Sequence, residues 1–241
     1  MTVLTKITLD PQDSYSELRQ YLAARSKVFK EDWRSGRDAT VQAEFDRFLR
    51  EGKTPEDFYR ETDVYLYHLT HLDTDIWKPP YRRSILQVLP PPRSMLEFGC
   101  GIGSDGMWFH ERGYDVSFYD LPSRGLEYLR WRMEWRGLAL PIHTQLPPAR
   151  AEIAFAFDVV EHYKDPARFL KEIEATGEIV VTNWLTTILA DSGLEFSHNA
   201  VSWVAWLKQN REVLLAENFG YAWLTIHRSA KEERKDGTVT R

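Results

Sequence analysis

The feature that most restricts the fold is a change of texture at "VLPPPRSMLEFG", residues 88–99. Beyond it, short apolar runs alternate with amphipathic stretches. "SMLEF" (94–98) reads as a strand, "SDGMWFHERG" (104–113) as a helix and "YDVSFYD" (114–120) as a second strand. "SRGLEYLRWRMEWRG" (123–137) is a helix, "LALPIHT" (138–144) a weak strand, "AEIAFAF" (151–157) a fourth, "DPARFLKEIEAT" (165–176) a helix and "GEIVVTNW" (177–184) a fifth strand. Strands that alternate with helices need crossovers, so the expected fold is α/β, with a doubly wound, mostly parallel sheet. A long helix over 200–219 and a last strand, "YAWLTIHR" (221–228), complete the pattern, and "GTVTR" (237–241) is barely a strand. The sheet edge is therefore read as either short or completed by a second copy in a homo-oligomer.

Ahead of the prolines the signals are helical. Tyr15, Leu18, Tyr21 and Leu22 recur at helical spacing, "TVQAEFDRFLREG" ends in a glycine, and Thr54, Pro55 and Asp57 stand in capping-box order before "FYRETDVYLYHL". The division expected is a helical cap over 1–90, packed on a core domain over 91–241 as one unit.

Composition excludes several classes. At 43% hydrophobic residues the chain can build a core, so wholesale disorder is excluded. Thirty-one basic residues stand against 36 acidic ones, a net charge of -5, so no basic field favours nucleic acid. Cys100 is the one cysteine, which leaves no internal disulfide and no cysteine-based zinc framework. "MTVLTKITLD" does not read as a leader and no apolar run is long enough to cross a membrane, so a cytoplasmic protein without membrane insertion is expected.

The stretch "LEFGCGIGSDG" (96–106) falls where a doubly wound sheet binds ligands, at the turn from the first strand into its helix. It fits two patterns. Glu97, Gly99, Gly101 and Gly103 spell acidic-x-Gly-x-Gly-x-Gly, whereas Gly101, Gly103 and Gly106 spell the G-x-G-x-x-G of a dinucleotide site. A tight turn without a ligand also favours glycine. Asp120, at the end of the second strand, suits ribose recognition under either pattern. Glu97 discriminates, because a carboxylate close to a bound pyrophosphate is electrostatically poor, while one near a cationic ligand is tolerable or helpful.

"LEFGCGIG", "YDVSFYDLPS" and "AEIAFAFDVVEHYKDPARFL" together resemble the class I S-adenosylmethionine-dependent methyltransferases, and among them the ubiquinone-type small-molecule branch, over roughly residues 80–184. The resemblance implies S-adenosylmethionine as cofactor, S-adenosylhomocysteine as product, and a small organic acceptor methylated on O, N or S. It implies that the backbone at Gly99, Gly101 and Gly103 approaches the methionine part and that Asp120 accepts both ribose hydroxyls. Leu121 would lie against adenine, Phe157 would line the cofactor, and Arg82 would hold its carboxylate. "DVVEH" (158–162) has two readings, a cleft lining or a general base at His162, since an imidazole titrates near neutral pH. No metal is assigned, although Asp158, Glu161 and His162 offer donors for a hard ion.

Two departures from the family pattern leave adenine recognition and the sheet edge open: "PIHTQLPP" lacks an acidic residue, and the usual terminal hairpin shows one clear strand. Nine Trp and 11 Tyr, several in the cap and in "FSHNAVSWVAW", suggest an aromatic acceptor pocket, with Tyr59, Tyr67 and His198 as its candidate residues. The alternatives are a macromolecule methyltransferase, a non-catalytic cofactor-binding subunit and an NAD-dependent oxidoreductase.

Overall fold

The protein is described by a computed structural model, and the residues it describes are 11–27, 29, 37–73, 78–187 and 193–230. Four helices come first: α1 (Pro11–Ala23), α2 (Arg37–Arg50), α3 (Pro55–Glu61) and α4 (Val64–Asp73). A fifth, α5 (Lys78–Val88), leads into β1 (Ser94–Phe98), and then the alternation begins: α6 (Ser104–His110), β2 (Asp115–Tyr119), α7 (Arg124–Trp135), β3 (Ile142–His143), β4 (Ala151–Ala156), α8 (Pro166–Glu174) and β5 (Gly177–Leu185). The described chain closes with α9 (Ala200–Asn210), β6 (Val213–Asn218) and β7 (Ala222–Arg228).

One seven-stranded sheet runs in the order β3-β2-β1-β4-β5-β7-β6. β1 through β5 pair in parallel and β7 runs antiparallel to both β5 and β6. The order reverses between β1 and β4, where the crevice of a doubly wound sheet opens. Local chemistry explains several boundaries. Thr54 and Asp57 form the expected capping box at α3, and Pro55 sits at a helix start where its missing N–H costs nothing. Asp165 caps α8 through the Ala167 N–H, ahead of Pro166.

The expected helix over 200–219 is corrected. It stops at Asn210, because Arg211 turns extended, and Val213–Asn218 instead pairs along β7 as the outer strand of a hairpin. Asn218 accepts the Gly220 N–H at 2.7 Å, and Gly220 takes φ +86, so "ENFGY" is a turn between two strands rather than the end of a helix. The terminal hairpin, β6 with β7, is supplied by this chain.

Strand alternation sorts the core into two layers. Ile153 and Phe155 of β4 face a cluster with Tyr81, Ile85, Met107, Phe118 and Leu129, whereas Ala154 and Ala156 face Phe169, Ile173, Val204 and Leu207 of α8 and α9. By packing, α5 belongs with the sheet. The cap has its own cluster, built on Leu18, Tyr21, Phe45, Phe58 and Leu66, and shares it with Ile102 and Tyr128 of the core. Two cations tie cap to core: Arg132 of α7 is 0% exposed and donates to Glu17 of α1 at 2.9 Å, to the Ile102 carbonyl at 2.7 Å and to Ser104 Oγ at 2.7 Å, and Arg136 donates to Glu17 at 2.6 Å. Asp73 of α4 lies 3.6 Å from the Arg132 guanidinium. Among the described residues, no helix is long and apolar enough to cross a membrane.

Candidate active site

A cleft of about 1330 Å³ opens at the carboxyl ends of β1, β2 and β4, roofed by α3 and α4 of the cap and by residues 193–196. Glu97, Gly99, Gly101, Asp120, Leu121, Phe157, Tyr59 and His162 all line it.

Asp120 lies at the β2 end. Its Oδ2 accepts the Gly101 N–H at 2.6 Å and its Oδ1 accepts the Leu121 N–H at 2.7 Å. A carboxylate has room for about four hydrogen bonds, so each oxygen can accept another donor from the cleft. Desolvation pushes its pKa up to about 6, against the pull of the two N–H groups. Leu121 beside it is 45% exposed, an apolar side chain that stands open on the cleft wall.

Glu97 has a different role from the expected one of charge repulsion. It is buried, and its Oε2 accepts the Gly106 N–H at 2.8 Å, in the first turn of α6. Burial, and next the neighbouring Asp105, push its pKa well up. Glu97 therefore occupies the Gly106 N–H, one of the donors at the start of α6. This also makes Gly106 a required residue, since a Cβ there would lie 2.5 Å from Glu97 Oε2 and 2.5 Å from the Phe118 ring. Gly103, expected beside a ligand, is instead set by packing: with φ +71, its Cβ would meet Leu129 at 2.4 Å. It is not among the residues that line the cleft.

Arg82 is turned inward. Its Nε and Nη2 both reach Asp105 Oδ1 at 2.7 Å, away from the cleft wall. A buried cation that does line the cleft is Lys78, four residues earlier, 2.9 Å from Asp105 Oδ2 and 3.9 Å from Asp158 Oδ2. Burial opposes the charge of Lys78, but Asp105, Asp158 and Asp73 outweigh it and raise the pKa. Burial likewise opposes ionisation of Asp105, yet Arg82 and Lys78 hold it down to about 2. Lys78 could not be found from sequence alone, because the Asp105 pair that fixes it spans 27 positions.

At the cap end, His162 sits in a single 3₁₀ turn (160–162). Its Nδ1 lies 2.9 Å from the Leu194 carbonyl oxygen and 2.9 Å from Tyr59 Oη. A carbonyl can only accept, so this contact places the ring proton on Nδ1 and leaves Nε2 as the basic nitrogen. Tyr65 Oη is 3.4 Å from Nε2. Burial raises the pKa of both tyrosines well above the usual value, so their hydroxyls stay protonated.

Tyr67 and His198 are placed elsewhere. Tyr67 is 4% exposed and packs in the cap cluster, 5.1 Å from the Phe29 ring. The helix is interrupted at Thr62 and Asp63 between α3 and α4, and the cleft face of α4 carries Tyr65, His68, Leu69 and Leu72 at helical spacing. His198 bonds the Tyr163 carbonyl through Nε2 at 2.8 Å and borders a small separate cavity. Phe157 is buried against Tyr81, ring centroids 5.4 Å apart, with an edge on the cleft. Asp158 is bound by Asn183 Nδ2 at 2.6 Å, and among the described residues no three His, Cys, Asp or Glu side chains converge as a metal-ligand set.

Residues 72–218 match the family described as "Methyltransferase domain". No curated protein matches the chain by sequence. Among solved structures, the magnesium protoporphyrin IX methyltransferase of Synechocystis PCC 6803 with bound SAM is 13% identical at a TM-score of 0.53, over 84% of this chain and 99% of that one. The PH0226 protein of Pyrococcus horikoshii OT3 is 11% identical at a TM-score of 0.53, over 71% and 95%. TehB of Haemophilus influenzae is 14% identical at a TM-score of 0.50, over 62% of this chain and 61% of that one.

Proposed function

Since this chain belongs to the methyltransferase-domain family and is thereby an S-adenosylmethionine-dependent enzyme, we propose that it methylates an O, N or S atom of a small organic acceptor held between Asp120 and the cap. The observation that carries this reading is the pair of carboxyl groups at the head of the sheet. Glu97 occupies one of the donors at the start of α6, while Asp120 keeps acceptor capacity facing the cleft. That arrangement suits a nucleoside without phosphates.

Asp120 would accept the two ribose hydroxyls, Leu121 would cover the adenine, and the backbone at Gly99 and Gly101 with Phe157 would flank the amino-acid part. Lys78 is the wall cation suited to its carboxylate, with Arg82 behind it as the group that holds Asp105 in place. When bound, the cofactor supplies an electrophilic methyl group on a sulfonium. The protein's contribution is to align an acceptor with that methyl and keep water out. His162 takes the acceptor's proton at Nε2, with Leu194 and Tyr59 holding the ring and Tyr65 donating to Nε2 until the acceptor displaces it. "DVVEH" supports the ubiquinone-type branch within the family. A cytoplasmic location and a site without nucleic acid belong to the same proposal.

Calorimetry with S-adenosylhomocysteine and NAD tests it. The expected result is micromolar binding of S-adenosylhomocysteine and none of NAD; the reverse preference would overturn the reading.

A further inference from the structure

The cap end of the cleft carries more chemistry than a general base requires. Glu161 precedes His162, is 3% exposed and lies between the cleft and the small cavity beside His198, and its Oε2 has no hydrogen-bond partner among the described residues. A buried polar atom left unpaired costs free energy, and retaining one on a cleft wall points to a ligand that completes it. The same cleft carries aromatic rings: Tyr59 and Tyr65 meet edge-on at 5.1 Å, and His68 stacks on Tyr65 at 5.6 Å.

Among the described residues, carboxylates predominate there. The ionisable neighbours that act most on Tyr59 are Tyr65, Glu195, Glu161 and Glu56, and on Tyr65 they are Glu161, Glu195, Asp120 and Asp158. The cations of the cleft are engaged or peripheral, since Lys78 is bound to Asp105 and Lys164 and Arg168 stand at the exposed rim. An anionic acceptor would therefore meet repulsion, and a neutral one would leave the acidic surroundings unused. A cation gains twice, from carboxylates and from aromatic faces.

We propose that the methyl acceptor is an amine, seated as an ammonium between Glu161 and the Tyr59–Tyr65 wall, with His162 Nε2 taking its proton. This rests on the methyltransferase reading above. The ammonium passes one proton to Nε2, and the freed lone pair on nitrogen forms a bond to the methyl carbon. The carbon–sulfur bond breaks with its electron pair staying on sulfur, giving S-adenosylhomocysteine. The product is an N-methylammonium, which keeps the positive charge that the seat recognises. Burial, Asp158 and Glu195 favour the neutral form of Glu161 when the seat holds no cation, with a backbone hydrogen bond and Lys78 opposing them.

The test uses the full chain saturated with S-adenosylhomocysteine and three matched probes, 2-phenylethylamine, 2-phenylethanol and 3-phenylpropanoate, with binding read by calorimetry. The amine is expected to bind at least about tenfold more tightly than the alcohol, and the carboxylate not measurably. Glu161→Gln is expected to remove that tenfold preference while leaving the affinities for S-adenosylhomocysteine and the alcohol unchanged, which a merely structural Glu161 would not do. Labelled methyl transfer to the amine alone would follow. Equal or tighter binding of the alcohol or carboxylate, or no amine binding at millimolar concentration, overturns the inference while leaving the methyltransferase reading intact. Failure to bind S-adenosylhomocysteine brings down both.

Discussion

At the sheet end of the cleft, Asp73, Glu97, Asp105, Asp120 and Asp158 each have a partner within the protein, from the Arg82–Lys78 pair on Asp105 to backbone N–H groups on Asp120. At the cap end, Glu161 keeps an unpaired oxygen and His162 turns its basic nitrogen toward Tyr65. Both ends are acidic, but one is electrostatically finished and the other is completed by what binds. The Asp105 cluster of the sheet end should therefore fail by unfolding, Asp120 by losing ligand affinity, and the cap end by losing turnover in a folded protein.

The largest expected effect is at the finished end. Asp105→Asn leaves Arg82 without its paired counter-charge and Lys78 with only the more distant Asp158, and urea melts should show a loss of about 3–5 kcal/mol. An unchanged midpoint would mean that the cluster is not a structural unit. Next, His162→Gln should lower kcat by about a hundredfold or more with S-adenosylhomocysteine affinity unchanged, as measured by steady-state kinetics and calorimetry side by side. A wild-type kcat would remove the base assignment.

Asp120→Asn should weaken S-adenosylhomocysteine binding by about a hundredfold, since two hydrogen bonds to a charged group are lost. In the wild type, that affinity should fall as pH drops through about 6, where Asp120 takes up a proton; the variant should lack this step. The sign for stability is opposite. The pKa of Asp120 is higher in the folded than in the unfolded chain, so the folded state binds more protons between about pH 4 and 6, and the ligand-free protein loses stability as pH rises through that window. The smallest contrast compares two neighbours on α4: Tyr65→Phe should lower kcat by about tenfold, whereas Tyr67→Phe should leave acceptor KM and kcat unaltered. Equal effects would erase the distinction between the cleft face and the core face of that helix.

The strand–helix alternation and the Glu97–Gly loop made the sheet and the position of the cleft legible in the sequence, because both depend on local periodicity and turn chemistry. The outer strand did not show, since "REVLLAEN" has good helix formers and becomes β6 only by pairing with β7. Asn218 and Gly220 between two apolar runs were the available signal for that turn. The inward turn of Arg82, the arrival of Lys78 and the exchange of Tyr67 for Tyr65 all follow from contacts between distant elements or from helix phase after the break at Thr62. Spacing along the chain carries neither.

Arg132 has a consequence for how ligands come and go. Its guanidinium is shared by Glu17 and Asp73 of the cap and by Ile102 and Ser104 beside the glycine loop. Lifting the cap like a lid would strand a cation and two carboxylates in apolar surroundings, at a cost of roughly several kcal/mol. Traffic through the rim, past the exposed side chains of Glu56, Lys164 and Arg168, leaves that bolt in place.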